Sequence, residues 1–145
     1  MREQVLKQLP SLPHRYHSDL CLKQLLRRYL SQEALDWAVP RLEAMGEAAV
    51  GKLDLWADLA NKQPPQLTTR DRLGNRIDHL EFHPAYRELQ RFAYSQGIIA
   101  DYYDPQVRQK LGSGLEAVKF AQGYLFAQAE QGLYCPICMT DGTAY

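Results

Sequence analysis

The chain has 145 residues, 46% apolar and 23% charged, enough for one domain with its own core and no need of disulfide or metal staples. Seventeen basic residues balance seventeen acidic ones, so no long-range field draws the chain to nucleic acid or to an anionic membrane. Three cysteines, Cys21, Cys135 and Cys138, are too few for a disulfide framework and suit a reducing, cytoplasmic setting. The opening residues Met1 to Lys7 hold no apolar signal core, and no apolar run reaches the roughly 18 residues that a membrane span needs.

Pro10 and Pro13 mark an extended arm over residues 1–17. Ser18 is placed to cap a first helix, whose Leu22, Leu25, Leu26, Tyr29 and Leu30 share one face. Lys23, Arg27 and Arg28 lie mostly off that face and read as solvated cations. Ser31 caps a second helix, with Leu35, Val39, Leu42 and Met45 along one stripe. Pro40 inside that stripe predicts a kink or a new helix start, and Gly46 and Gly51 weaken it further. Leu55, Trp56 and Leu59 define a third helix, which Pro64-Pro65 ends.

From residue 66 to 82 the pattern predicts one long loop or a short hairpin turning at Leu73-Gly74-Asn75. Pro84 suits a helix start, with Tyr86, Leu89, Phe92 and Ala93 buried and Gly97 at the end. Asp104-Pro105 reads as cap and first turn of another helix, and Gly112-Ser113-Gly114 breaks the chain again. The strongest helical pattern runs from Leu115 to Gln131. Val118, Ala121, Leu125 and Ala129 line one face, Phe120, Tyr124 and Ala127 widen it, and Ala117, Gly123 and other small residues admit close neighbours. A helix apolar over so much of its circumference belongs at the centre of a bundle. The sum is an all-α bundle of about five to seven helices over residues 18–145.

Cys135-Pro136-Ile137-Cys138 is the pattern with most chemistry of its own. Two thiols so spaced can form a redox disulfide or supply half of a zinc site. The redox reading expects a strand before the pair, yet a long helix and Gly132 precede it. The zinc reading needs two more ligands, and Pro84 interrupts any helix that would join His79 to His83. The first expectation for both thiols is therefore small side chains in a packed segment. Asp78, Glu81 and His83 sit in a loop-like stretch with no nucleophile beside them, and His14 and His17 belong to the arm. Gly112-Ser113-Gly114 has neither the preceding strand nor the following residues of a phosphate loop. Spacing reveals no catalytic residue.

Three stretches in order carry a resemblance: Leu59-Ala60-Asn61-Lys62-Gln63-Pro64-Pro65, Asp71 to Tyr86, and Glu130 to Thr140. Together they resemble the N-terminal domain of the AidB-type branch of the acyl-CoA dehydrogenase superfamily. That family shows an aspartate-x-x-glycine loop, an acidic-aromatic-His-Pro-Ala-aromatic helix start and a closing Gly-x-x-Cys-Pro-x-x-Met-Thr segment. The match covers roughly residues 55–145, more loosely before that. The resemblance implies a helical N-terminal domain ending before a flavin-binding middle β-domain, then a four-helix bundle, in a tetramer. It implies FAD and an acyl-CoA substrate for the intact protein. There a carboxylate takes the proton alpha to the thioester and hydride passes from the beta carbon to the flavin. Catalytic and main flavin contacts lie downstream, so the resemblance transfers no catalytic or cofactor-binding residue and implies no cofactor for this segment alone.

Met139-Thr140-Asp141-Gly142 superficially resembles the flavin-contacting Met-Thr-Glu-Pro-Gly-x-Gly-Ser of these enzymes, but Thr143, Ala144 and Tyr145 follow in place of Gly-Ser. In the earlier register Met139 and Thr140 close the helical domain and line the acyl cavity, or only pack. Cys138 is not part of the family segment. Two other readings stand beside this one: a helical interaction module with a Cys135/Cys138 redox or zinc pair, and a part of a DNA-alkylation-response flavoprotein. The DNA activity is associated with a basic C-terminal domain, and the zero net charge here lends it no support.

Overall fold

The computed structural model describes residues 12–144. Most of the expected extended arm, residues 1–11, lies outside the described residues. Its last residues form a single helical turn, α1 (Arg15–Ser18). There follow α2 (Leu20–Tyr29), α3 (Gln32–Val50), α4 (Lys52–Lys62), strands β1 (Gln66–Arg70) and β2 (Arg76–Glu81), and α5 (Pro84–Ser95). A turn, α6 (Ala100–Tyr103), leads to α7 (Pro105–Leu111), α8 (Leu115–Ala127) and α9 (Gln131–Ala144). Among the described residues seven helices have seven residues or more, so the all-α bundle holds, and segment 66–82 is a hairpin.

Local chemistry explains most of the boundaries. Ser31 accepts the Ala34 amide and opens α3. Asp104 accepts the Gln106 and Val107 amides with Pro105 at the first helical position of α7. Pro64 and Pro65 follow α4 as predicted. The cap of α2 is Asp19, whose carboxylate takes the Leu22 amide at 2.8 Å, in place of the expected Ser18. Ser18 instead donates its hydroxyl to the His14 carbonyl at 2.8 Å and closes α1.

Pro40 does not break α3. The missing amide forfeits one rung, and an interior proline costs about 3 kcal/mol. Against that, Ala34, Ala38, Leu42 and Met45 are completely buried on both sides of it. Fully burying a leucine or methionine contributes roughly 1.5–3 kcal/mol each, so packing outweighs the loss. Gly46 continues the helix because α1 crosses there: a side chain would meet the Tyr16 backbone nitrogen at 2.7 Å.

The core runs between α3 and α8 and includes Leu26, Leu42, Met45, Leu89, Val118, Leu125, Phe126, Leu133 and Ile137. Helix α8 is shorter than predicted. Its ladder stops at Ala127, where the Ala129 and Glu130 amides both turn back to the Phe126 carbonyl at 3.0 Å. Glu130 then accepts the Leu133 amide and starts α9. Phe120 and Tyr124, expected to widen the buried face of α8, are 59% and 48% exposed.

The strands pair antiparallel, Gln66 with Glu81, Leu67 with Leu80, Thr68 with His79 and Arg70 with Arg76. Every residue of both is exposed. An irregularity between Thr68 and Arg70, with Asp78 at φ 43° opposite it, bends the ribbon. The bend and the charges of Arg70, Arg76, Asp78 and Glu81 blunt its free edges. Among the described residues no helix is long and apolar enough to cross a membrane.

Candidate functional site

The sequence pointed to the segment now seen as α9. Leu133 and Ile137, four residues apart, are buried against the bundle. Cys135, Cys138, Met139 and Thr140 are exposed on the remaining surface. Pro136 lies inside the helix, so the Gly132 carbonyl loses its ladder donor. Two threonines fold back onto the helix: Thr140 donates to the Pro136 carbonyl at 2.9 Å and Thr143 to the Met139 carbonyl at 2.7 Å.

Three other elements hold α9 in place. From α8, Lys119 donates to the Asp141 carboxylate at 2.8 Å, with side chains only 10% and 24% exposed. The same ammonium stands 4.0 Å from the centre of the Tyr102 ring. From α6, the Tyr103 hydroxyl donates to the Asp141 carbonyl at 3.2 Å. From α5, the Tyr94 hydroxyl approaches that of Thr140 at 3.5 Å. These partners lie 22 to 46 residues from the α9 residues they bind, and no local pattern announces them.

Tyr134 of α9 packs directly on α8. Its hydroxyl sits against Gly123, where any side chain would collide with it. Burial, then a hydrogen bond with Cys138, pushes its phenol up to about 12. Nearby, burial raises the Asp101 carboxyl above the usual carboxylate range.

The two thiols are exposed in mid-helix, not packed as expected, and not at a helix N-terminus that would activate them. His83 does not join them: its Nδ1 accepts the Ala85 amide and caps α5. His79 pairs with Thr68 in the hairpin, Asp78 pairs with Arg76 at 2.6 Å, and His14 caps α1. Among the described residues no three His, Cys, Asp or Glu side chains gather as a metal site. Residues 139–144 also do not fit a flavin. They are helical, so their backbone donors are turned into the helix ladder instead of toward a ring or phosphates.

A second exposed feature lies between the antiparallel α2 and α8. It is an apolar groove of about 420 Å³ lined by Leu22, Leu25, Tyr29, Ala117, Phe120 and Tyr124. At one end the Tyr124 hydroxyl donates to Asp19 at 2.9 Å.

The model of the adaptive response protein AidB N-terminal domain family matches residues 11–144. The chain is 31% identical over 113 residues to AidB of Escherichia coli (strain K12), which carries an acyl-CoA dehydrogenase name, covering 77% of this chain and 20% of that protein. It is 26% identical over 137 residues to acyl-CoA dehydrogenase family member 11 of Caenorhabditis elegans, covering 92% and 21%. Among solved structures, the apo form of Bd2924 superposes with a TM-score of 0.86 at 34% identity, over 93% of this chain and 26% of that one. Caenorhabditis elegans ACDH-11, in complex with C11-CoA, superposes with a TM-score of 0.81 at 25% identity, over 92% and 22%. The chain thus spans about a fifth of the length of the curated relatives it matches.

Proposed function

Because this chain belongs to the AidB N-terminal domain family, we propose that it is the helical domain of an FAD-dependent acyl-CoA dehydrogenase-type oxidoreductase, and that Met139 and Thr140 on α9 line one side of the acyl cavity. The observation that carries this reading is Met139, 67% exposed on a helix whose opposite face is anchored by Leu133, Ile137 and the Lys119–Asp141 pair. A flexible thioether beside a hydroxyl tied down by its own backbone suits a lining for an acyl chain. That one structural neighbour is in complex with C11-CoA supports the substrate class.

The chain's own residues supply wall and position, not chemistry. Proton removal alpha to the thioester and hydride transfer belong to a carboxylate and an FAD held by other parts of the parent. The exposed groove between α2 and α8 supports a packing role, since contiguous apolar patches on a protein surface mark contact faces. We assign that face to the parent's assembly as a cytoplasmic homo-oligomer.

Purified alone, the 145 residues come off the column colourless and oxidise no acyl-CoA; a bound flavin spectrum would overturn the reading. In the intact parent, Met139→Trp shifts preference toward shorter acyl chains with little change at the flavin; an unchanged chain-length profile removes Met139 from the cavity. A role in the response to DNA alkylation attaches to the parent. Salt-dependent DNA binding by these residues, with their zero net charge, would bring it back to this domain.

A further inference from the structure

The exposed face of α9 holds three sulfurs that the acyl-cavity reading does not use together. Cys135 and Cys138 are both exposed and three residues apart; Met139 is exposed and four from Cys135. On a helix these spacings put Cys138 and Met139 one turn beyond Cys135 and on either side of it. Helical side chains lean toward the N-terminus, a direction that brings residues 138 and 139 within reach of residue 135. Tyr134, braced on Gly123, hydrogen-bonds to Cys138 and limits where that thiol can go.

The helix argues against a disulfide as the resting use of the pair. Cβ atoms three apart on a helix are about 5–6 Å from each other, whereas a disulfide needs roughly 3.5–4.5 Å. A bridging ion relieves that mismatch. Zinc is the wrong ion, because it asks for four N, S or O ligands, and among the described residues no three His, Cys, Asp or Glu gather. Two thiolates and a thioether form a soft donor set of low coordination number, which selects monovalent copper.

We propose that Cys135, Cys138 and Met139 on the exposed face of α9 in this chain form a site for Cu(I). Each thiol gives up its proton as its sulfur bonds the ion, so one Cu(I) replaces two protons and copper keeps its oxidation state. Met139 completes the site as a neutral third ligand.

The test uses the reduced 145-residue chain under anaerobic conditions, Cu(I) supplied as its acetonitrile complex and bicinchoninate as competitor. The chain should withdraw one equivalent of copper and develop a near-ultraviolet thiolate-to-copper band. Cys135→Ser and Cys138→Ser should each weaken binding by roughly tenfold or more, while Cys21→Ser changes nothing. Met139→Leu should weaken it several-fold. The two serine variants leave Met139 and Thr140 in place, so loss of copper in them with an unchanged acyl chain-length profile in the intact parent reads the two proposals separately. No competition by the wild-type chain, wild-type affinity in Cys138→Ser, or displacement of copper by equimolar zinc would overturn the site. Unchanged affinity in Met139→Leu would overturn the thioether's part in it.

Discussion

The Tyr134 hydroxyl on α9 stands where a side chain on Gly123 of α8 would have to go. Gly123→Ala should therefore destabilise the chain by about 1–3 kcal/mol, through a forced shift of α9 against α8. Urea unfolding measures this. The cost should shrink in the Tyr134→Ala background, because the obstructing ring is gone. Equal costs in the two backgrounds would mean the contact is not what excludes a side chain.

Tyr134 also sets an alkaline limit. Its phenol ionises at about 12 in the folded chain against an ordinary value of 10.0. Between those values the unfolded chain has lost a proton that the folded chain keeps, so stability falls as pH rises through that window. Tyr134→Phe should flatten the fall, and the most alkaline step in the tyrosinate absorbance should vanish with it. A full-sized alkaline step in the variant would assign it to another tyrosine.

Lys119 and Asp141 form the ion pair best shielded from water among those described, with side chains 10% and 24% exposed. Lys119→Met keeps most of the aliphatic stem and strands the carboxylate. The expected cost is about 1.5–3 kcal/mol, the range for hydrogen bonds to charged groups. Hydrogen exchange should quicken in the second half of α9 before the rest of the bundle responds. A loss under about 0.5 kcal/mol would place the pair with ordinary surface ion pairs.

Asp71 organises the hairpin turn: its carboxylate accepts the Leu73 and Asn75 amides and the Asn75 side-chain amide, at 2.8 to 2.9 Å. The Asn75 side-chain bond leads in holding its carboxyl below the usual range. A depressed carboxyl favours the ordered turn above its ordinary value, and that contribution is lost as pH falls through the lowered one. Asp71→Ala should speed amide exchange at residues 73–76 at neutral pH, with the helices unaffected. Wild-type protection in that turn would show that the strands alone hold it.

What could be read from the chain divides by distance. Ser31, Asp104-Pro105 and Pro64-Pro65 act within a few residues, and their helix ends fall where predicted. Ser18 and Asp19 are neighbouring cap residues, and propensity does not say which one a helix will use. Pro40 and Gly46 look like breakers until Met45 and Tyr16 are known to pack around them, which is a tertiary fact. The α9 segment itself was legible as a family pattern that ends in Met139 and Thr140; their exposure was not. The network that steadies it was not: Lys119, Tyr103 and Tyr94 come from three other helices, and each looks like an ordinary surface residue in the sequence.

The hairpin turns both of its faces to solvent, so the bundle does not depend on its side chains for a core. Its tip, from Leu73 to Asn75, is thus a natural splice point. A peptide tag or a small reporter domain inserted there would travel with the protein and leave the helical body, and the sulfur-bearing face of α9, as they are.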